Sequence, residues 1–464
     1  MIDFKNLAGA YFIGIGGIGM SALARFFISK GLVVAGYDKT ESRITEALIK
    51  EGCSITYYDD PSGIPPLFAG ESIKDKIIVI ITPAIPADNR ILEYFVKGGF
   101  RIFKRSEVLG EISRSTDTLA VAGTHGKTTV STLLAHILNR SALGCSAFLG
   151  GISKNYETNL LLSDSRYTVI EADEYDRSFH RLSPLMAVIT SADADHLDIY
   201  GDYQSMLEAY NEFCRKIRPE GTLLLNESVT GKINAPGWTG TYSYGFTEGS
   251  SFRIKNEGRE GDIYFFDLET PSGELRGLRY PFPGKKNMEN AAAASALALM
   301  CGAGDNEIRD GLLSFKGVKR RFDIRVSRPG LVYIDDYAHH PEEIKAFVKS
   351  VREHFGRRKI TAIFQPHLFT RTRDHAAGFA SILDTLDEVI LLSIYSAREK
   401  PIEGVTSRLI LDRMKIKNRR LMDMGEVVSS IDIKNTDILL TIGAGDIDRL
   451  VAPIEDKLNS VMQK

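Results

Sequence analysis

The run Gly123-Thr124-His125-Gly126-Lys127-Thr128-Thr129 carries the chemistry of phosphate binding. It sits between an apolar stretch, Thr118 to Ala122, and a segment with Val130, Leu133, Leu134, Ile137 and Leu138 at helical spacing. A glycine-rich turn between strand and helix aims backbone N–H groups at an anion, and the helix adds its positive end. Lys127 supplies a mobile charge for outer phosphates, and the Thr128 hydroxyl suits Mg²⁺. Gly123, Thr124, Gly126, Lys127, Thr128 and Thr129 are therefore assigned to ATP. The glycines are spaced GxxGKTT instead of GxxxxGK[ST], so the strand–loop–helix context carries the assignment.

Other polar residues also close apolar runs. Gly14-Ile15-Gly16-Gly17-Ile18-Gly19 follows one strand pattern and Asp38 closes the next, as in a dinucleotide fold. NAD, FAD or a nucleotide-diphosphate substrate would each fit, and the spacing does not separate them. Glu171 directly follows Tyr167 to Ile170 and opens Glu171-Ala172-Asp173-Glu174-Tyr175-Asp176. A carboxylate one strand from a phosphate loop is placed to hold Mg²⁺. His196, in Asp195-His196-Leu197-Asp198, is the candidate second-metal ligand. Asn287 and Asn290, three apart at a helix start, read either as adenine-binding amides or as a helix cap. Arg320-Arg321 is either a reach toward ATP phosphates, with Arg321 the candidate, or a solvated linker. His339, His340, His367, Arg371 and Arg373 cluster at two strand ends and suit an anionic intermediate. Adjacent histidines point apart and no cysteine is near, so His339-His340 does not read as zinc ligands.

The elements that must position these groups alternate between strand and helix. Strands are expected at Tyr11 to Ile13, Val33 to Tyr37 and Ile77 to Ile81, and later at Leu331 to Ile334, Ile360 to Phe364, Val389 to Leu392 and Ile438 to Ile442. Met20 to Ser29 and Asn287 to Met300 read as helices, and Trp238 to Tyr280 as an antiparallel insert. Such alternation predicts an α/β fold of parallel sheets. Three domains are expected: Rossmann-like 1–107, a P-loop ATPase-like 108–319 and Rossmann-like 320–464. With 43% apolar and 25% charged residues, each can form a core. A net charge of -2 argues against general nucleic-acid binding. No apolar run reaches the ~18 residues of a membrane span. Four scattered cysteines and no signal-peptide pattern lead us to expect a cytoplasmic protein, a monomer or weak homodimer.

Taken in order, these motifs resemble the Mur ligase family, the ATP-dependent amide-forming ligases of peptidoglycan synthesis. The likeness spans the whole chain. Gly123 to Thr129 resembles the family's ATP loop, Glu171 its acidic metal ligand, and Asn287/Asn290 its adenine-side asparagines. The segments Gly14 to Ser21, Asp336 to Pro341, Phe364 to Arg373 and Glu399 to Val405 match the branch that adds L-alanine to the carboxylate of UDP-N-acetylmuramate. That resemblance implies that Gly14, Gly16, Gly17, Ile18 and Gly19 hold the UDP diphosphate, with Asp38, Thr82 and Asn89 helping. It also implies ATP contacts from Arg321 and Asp336, substrate contacts from His125 and Arg373, and amino-acid orientation by His339 and Arg371. Lys127, His196, His339 and Arg371 are the expected catalytic set, acting through an acyl phosphate.

Three departures bear on this. Later ligases of the pathway carry a modified lysine where ungapped counting here gives Tyr210, which fits the alanine-adding branch. Lys286 precedes Asn287 where the family has histidine, and Leu368 stands where it has arginine. The murein tripeptide recycling ligase is the alternative within the family. An NAD-dependent oxidoreductase or an ATP-switched scaffold would each leave part of the pattern unused.

Overall fold

The computed structural model describes residues 2–194, 197–397 and 399–460. It divides into two compact units, Met1–Pro281 with Met288–Lys316, and Phe282–Asn287 with Gly317–Lys464.

The first unit contains two sheets. The smaller is all parallel, in the order Ser54–Thr56, Val33–Tyr37, Gly9–Ile13, Ile77–Ile81, Arg101–Lys104. Its middle strands are apolar at every position because both faces are covered. Alternation then sends Phe12, Ile78 and Ile80 into one core, and Tyr11, Ile13, Ile77 and Val79 into another. The larger sheet has ten strands. Its parallel centre is built from Asp117–Ala122 flanked by Tyr167–Glu171 and Met186–Ile189. Within the 238–280 stretch, Gly240–Gly245 pairs parallel with Thr222–Asn226, while Phe252–Glu260, Ile263–Thr270 and Gly273–Tyr280 form an antiparallel meander. The stretch expected to be an antiparallel insert is thus antiparallel only after its first strand, and it continues the central sheet.

The expected boundary at residue 107 falls inside the helix Arg105–Arg114. Val108, Leu109 and Ile112 of this helix share one core with Phe12 and Ile78 of the small sheet and Ala120 and Ile170 of the large one. Asn159 adds a polar tie. It is fully buried, its Nδ2 donates to Ile18 O at 2.6 Å and Ser21 Oγ at 3.0 Å, and its Oδ1 accepts from Arg25 Nη1 at 2.6 Å.

The second unit holds a six-stranded sheet ordered Asp323–Arg328, Leu331–Asp336, Ile438–Ile442, Ile360–Phe364, Glu388–Leu391, Arg419–Leu421. Only the first strand is antiparallel. Two cores lie on its faces, with Val332 and Ile334 on one and Leu331 and Tyr333 on the other. In all three sheets the polar motifs follow the carboxyl ends of parallel strands, where α/β sheets bind ligands.

Asn159→Ala would strip two donors and an acceptor from a buried junction, leaving their partners unmet at a cost of about 2–4 kcal/mol. Calorimetry should show the transition of the first unit moving down by several degrees. An unchanged transition would mean that this junction contributes nothing to stability.

Candidate active site

The phosphate loop is fixed from beneath by the neighbouring strand end. Gly123 has φ +133°, and a Cβ there would lie 2.2 Å from Thr190 Oγ1. The Thr190 hydroxyl donates to Ala122 O at 3.1 Å, and Ser191 Oγ accepts His125 N–H at 2.8 Å. Gly126, at φ +87°, caps the helix Lys127–Arg140, and a Cβ there would meet Asn290 Oδ1 at 2.7 Å. Both glycines are thus required by backbone angle and by close approach.

Lys127 lies over this loop. Its Nζ donates to Gly123 O at 2.6 Å and to Glu174 Oε1 at 2.9 Å. Burial pulls its pKa down, but Glu174, Glu171 and Asp173 outweigh that and hold it above the usual lysine value. The ammonium is therefore charged, and its carboxylate partner can be exchanged for phosphate oxygens. Thr128 Oγ1 donates to Glu171 Oε1 at 3.1 Å, and Gly150 N–H donates to Glu171 Oε2 at 3.0 Å. This hydroxyl and carboxylate are hard oxygen donors on adjacent elements, a set that fits Mg²⁺. His196 lies outside the described residues. His125 Nε2 stands 3.6 Å from Asp193 Oδ2.

In the small sheet, Gly14 has φ +89° and a Cβ there would strike Thr82 Cγ2 at 2.5 Å. Asp38 Oδ2 accepts Gly16 N–H at 2.7 Å, so the acid braces the glycine turn. A cavity of about 260 Å³ joins Gly17, Ile18, Gly19 and Thr82 to Glu171, which places the glycine turn and the metal-type carboxylate on one space. Asn89 is a buried helix cap, its Oδ1 taken by Leu92 N–H at 2.8 Å.

In the second unit, Asn287 Nδ2 donates to Pro283 O at 2.7 Å, a helix-start bond. Asp335 and Asp336 end their strand buried, and burial pushes each carboxyl up to about 6. Both Asp336 oxygens receive backbone N–H groups, from Phe322 at 2.7 Å and Ala338 at 2.8 Å. These bonds hold a segment in which Arg320 and Phe322 have φ +64° and +45°. The Arg320 and Arg321 guanidiniums sit 5.1 and 4.9 Å from the centre of the Tyr337 ring. Burial pushes the His339 imidazole down to about 4. Its Nδ1 lies 3.0 Å from Tyr337 O, so the proton sits on Nδ1 and Nε2 keeps a lone pair. His367 stands beside it, with Nδ1 3.3 Å from Arg371 Nη1. Arg373 instead forms an exposed pair with Asp374.

Comparison with known proteins gives these geometries a family. Residues 10–116 match the Mur ligase family catalytic domain, 121–298 the Mur ligase middle domain and 320–445 the Mur ligase glutamate ligase domain. The chain is 47% identical over 467 residues to the UDP-N-acetylmuramate–L-alanine ligase of Parabacteroides distasonis, covering all of both chains. The protein of that name from Porphyromonas gingivalis is 48% identical over 97% of this chain and 99% of its own. The chain belongs to the Mur ligase family. Among solved structures, the UDP-N-acetylmuramate–alanine ligase of Thermotoga maritima superposes with TM-score 0.83 at 27% identity, covering 98% of this chain and 99% of that one. A murein peptide ligase of Psychrobacter arcticus shares the fold, with TM-score 0.71 at 20% identity over 97% and 98% of the two chains.

The sequence does not point to several residues that build this Mur ligase site. Glu174 is read there only as one acid in a run, yet it is 1% exposed and pairs with Lys127. Gly150 is required because a Cβ would lie 2.2 Å from Glu171 Oε2. Thr190 and Ser191 follow a strand as the other site residues do, and that position is the one signal that could have marked them.

His339 makes a testable contribution to pH dependence. An imidazole with a lowered folded pKa stabilises the fold fully above its unfolded value of about 6.5 and loses that contribution as pH falls toward 4. His339→Asn should therefore lose less stability than the parent between pH 7 and 4.5 in denaturant titrations. Equal losses would contradict a neutral buried His339.

Proposed function

We propose that this Mur ligase joins L-alanine to the carboxylate of UDP-N-acetylmuramate, with ATP cleaved to ADP and phosphate, as a cytoplasmic step of peptidoglycan synthesis. The cavity connecting the Gly17–Gly19 turn to Glu171 carries this reading. A UDP-sugar held by its diphosphate at that turn presents its acid group toward the phosphate loop. The full-length likeness to relatives named for this reaction supports the choice of substrate. The four cysteines are free and buried, which suits a reducing compartment.

The chemistry needs two anions to meet. The substrate carboxylate oxygen attacks the γ-phosphorus of ATP, the bond to ADP breaks, and an acyl phosphate forms. The amine of alanine then attacks the acyl carbon, loses a proton, and phosphate departs. Lys127 exchanges Glu174 for the outer phosphates and stabilises charge there. Mg²⁺ held by Thr128 and Glu171, with His196 as a ligand for a second ion, supplies further charge neutralisation. His339 presents Nε2 as an acceptor toward the amine, and Arg371 orients the amino acid. Arg321, Asn287 and Asn290 serve ATP, while Asp336 acts by fixing the segment that carries Arg321. Residues 1–107, 108–319 and 320–464 then divide UDP-substrate, ATP and amino-acid binding between them.

Phosphate release from ATP and Mg²⁺ with UDP-N-acetylmuramate, across a panel of amino acids, tests the reaction. We expect release to require the UDP-sugar and to peak with L-alanine. Preference for a peptide amine would transfer the assignment to the recycling ligase. Lys127→Ala should reduce ADP formation by at least about 10³-fold. UDP-N-acetylmuramate should still bind that variant, and loss of binding would refute the division of ligands between segments.

A further inference from the structure

Arg105 is a cation without a stated task, in the cavity that joins the two halves of the candidate site. Among the residues lining that cavity it is the only positive one, facing the carboxylates of Glu171 and Asp173. Its side chain is 18% exposed. Nη2 donates to Asp173 Oδ2 at 3.0 Å, and that carboxylate is 39% exposed. Among the described residues, Asp173 is the only acceptor the guanidinium has, which leaves Nε and most of the Nη hydrogens to be satisfied. The other side of the guanidinium is set by Gly19, where a Cβ would lie 2.5 Å from Nη1. The third glycine of the turn is therefore the space that the arginine occupies. Arg105 also begins the helix Arg105–Arg114, whose core anchors it between the two sheets.

A planar fork with spare donors, between a diphosphate-type turn and the carboxylate that suits Mg²⁺, is built for a second planar anion. We propose that Arg105 receives the carboxylate of the sugar-acid substrate, exchanging its ion pair with Asp173 for one with that carboxylate as the substrate enters. Asp173 holds the fork in place while the cavity is empty and keeps the arginine from folding onto Glu171. The exchange presents the carboxylate beside the phosphate loop. This rests on the substrate reading given above.

Isothermal titration of the full-length protein without ATP tests it, using UDP-N-acetylmuramate and UDP-N-acetylglucosamine. The second ligand has the same diphosphate but lacks the acid group. Arg105→Ala should weaken UDP-N-acetylmuramate binding about 10- to 100-fold, the range of one charge-assisted bond, and change UDP-N-acetylglucosamine binding by less than about twofold. Asp173→Asn, which releases the fork, should leave UDP-N-acetylmuramate affinity equal or higher. Equal weakening of both ligands by Arg105→Ala would place the arginine on the diphosphate and overturn the proposal. So would a loss in Asp173→Asn as large as that in Arg105→Ala, because the pair would then be a fixed structural link. If the unmodified protein does not bind UDP-N-acetylmuramate, the substrate reading fails and takes this proposal with it. If it binds and Arg105→Ala binds as well, only the role of Arg105 fails.

Discussion

Charge balance around Lys127 is the constraint on which the site depends. One ammonium is enclosed near three carboxylates, Glu171, Asp173 and Glu174, and only Glu174 pairs with it directly. A buried lysine with no such partner would tend to lose its proton. The nearby carboxylates keep the lysine charged. The arrangement holds a positive charge ready over the glycine loop, where the proposed reading places phosphate. Glu171 is kept apart from this pair by Thr128 and Gly150, which take one oxygen each. Two carboxylates three residues apart are thereby given different tasks.

The backbone supports this balance through glycine at positions where a side chain cannot fit. Gly123, Gly126 and Gly150 each face a polar group from another element: Thr190, Asn290 and Glu171. Each contact brings a loop within reach of a neighbouring strand end or helix. The parallel sheet determines which elements these are, since Asp117–Ala122 lies between the strands ending in Glu171 and Ile189. Packing of the sheet thus sets the distances on which the electrostatics rely.

The sheets were legible because parallel strands buried on both faces are short apolar runs. Val33–Tyr37, Ile77–Ile81, Ile360–Phe364 and Ile438–Ile442 match the expected strands residue for residue. Residues next to such runs, including Lys127, Thr128 and Glu171, could be found because their position in sequence gives their position in space. Pairings across long sequence separations left no such trace. Nothing local joins Glu174 to Lys127, Arg105 to Asp173, or Gly150 to Glu171. The same blindness works in the other direction. Asn89, Asn287 and Arg373 end or flank apolar runs in sequence, and in the fold each also meets a protein partner within a few residues, which the sequence does not show. A cap or a neighbouring ion pair satisfies the same hydrogen-bonding groups that a ligand would.

The glycine turn of the small sheet shows why a motif alone does not select a cofactor. In a dinucleotide site the acid at the end of the second strand reaches a ribose. Here Asp38 places Oδ2 on Gly16 N–H and Oδ1 3.2 Å from Thr40 N–H, so its acceptor capacity is directed at the protein. The third glycine, which in such sites allows helix and strand to pack closely, here makes room for the Arg105 guanidinium. The same six-residue pattern has therefore been fitted to a different neighbour on each side. One side stiffens the turn, and the other places a cation beyond it, where a nucleotide sugar has its distal group and a nicotinamide ring would gain nothing from positive charge. The cavity continues from that cation to Glu171, so a ligand filling it would meet a cation at one end and the metal-type carboxylate at the other.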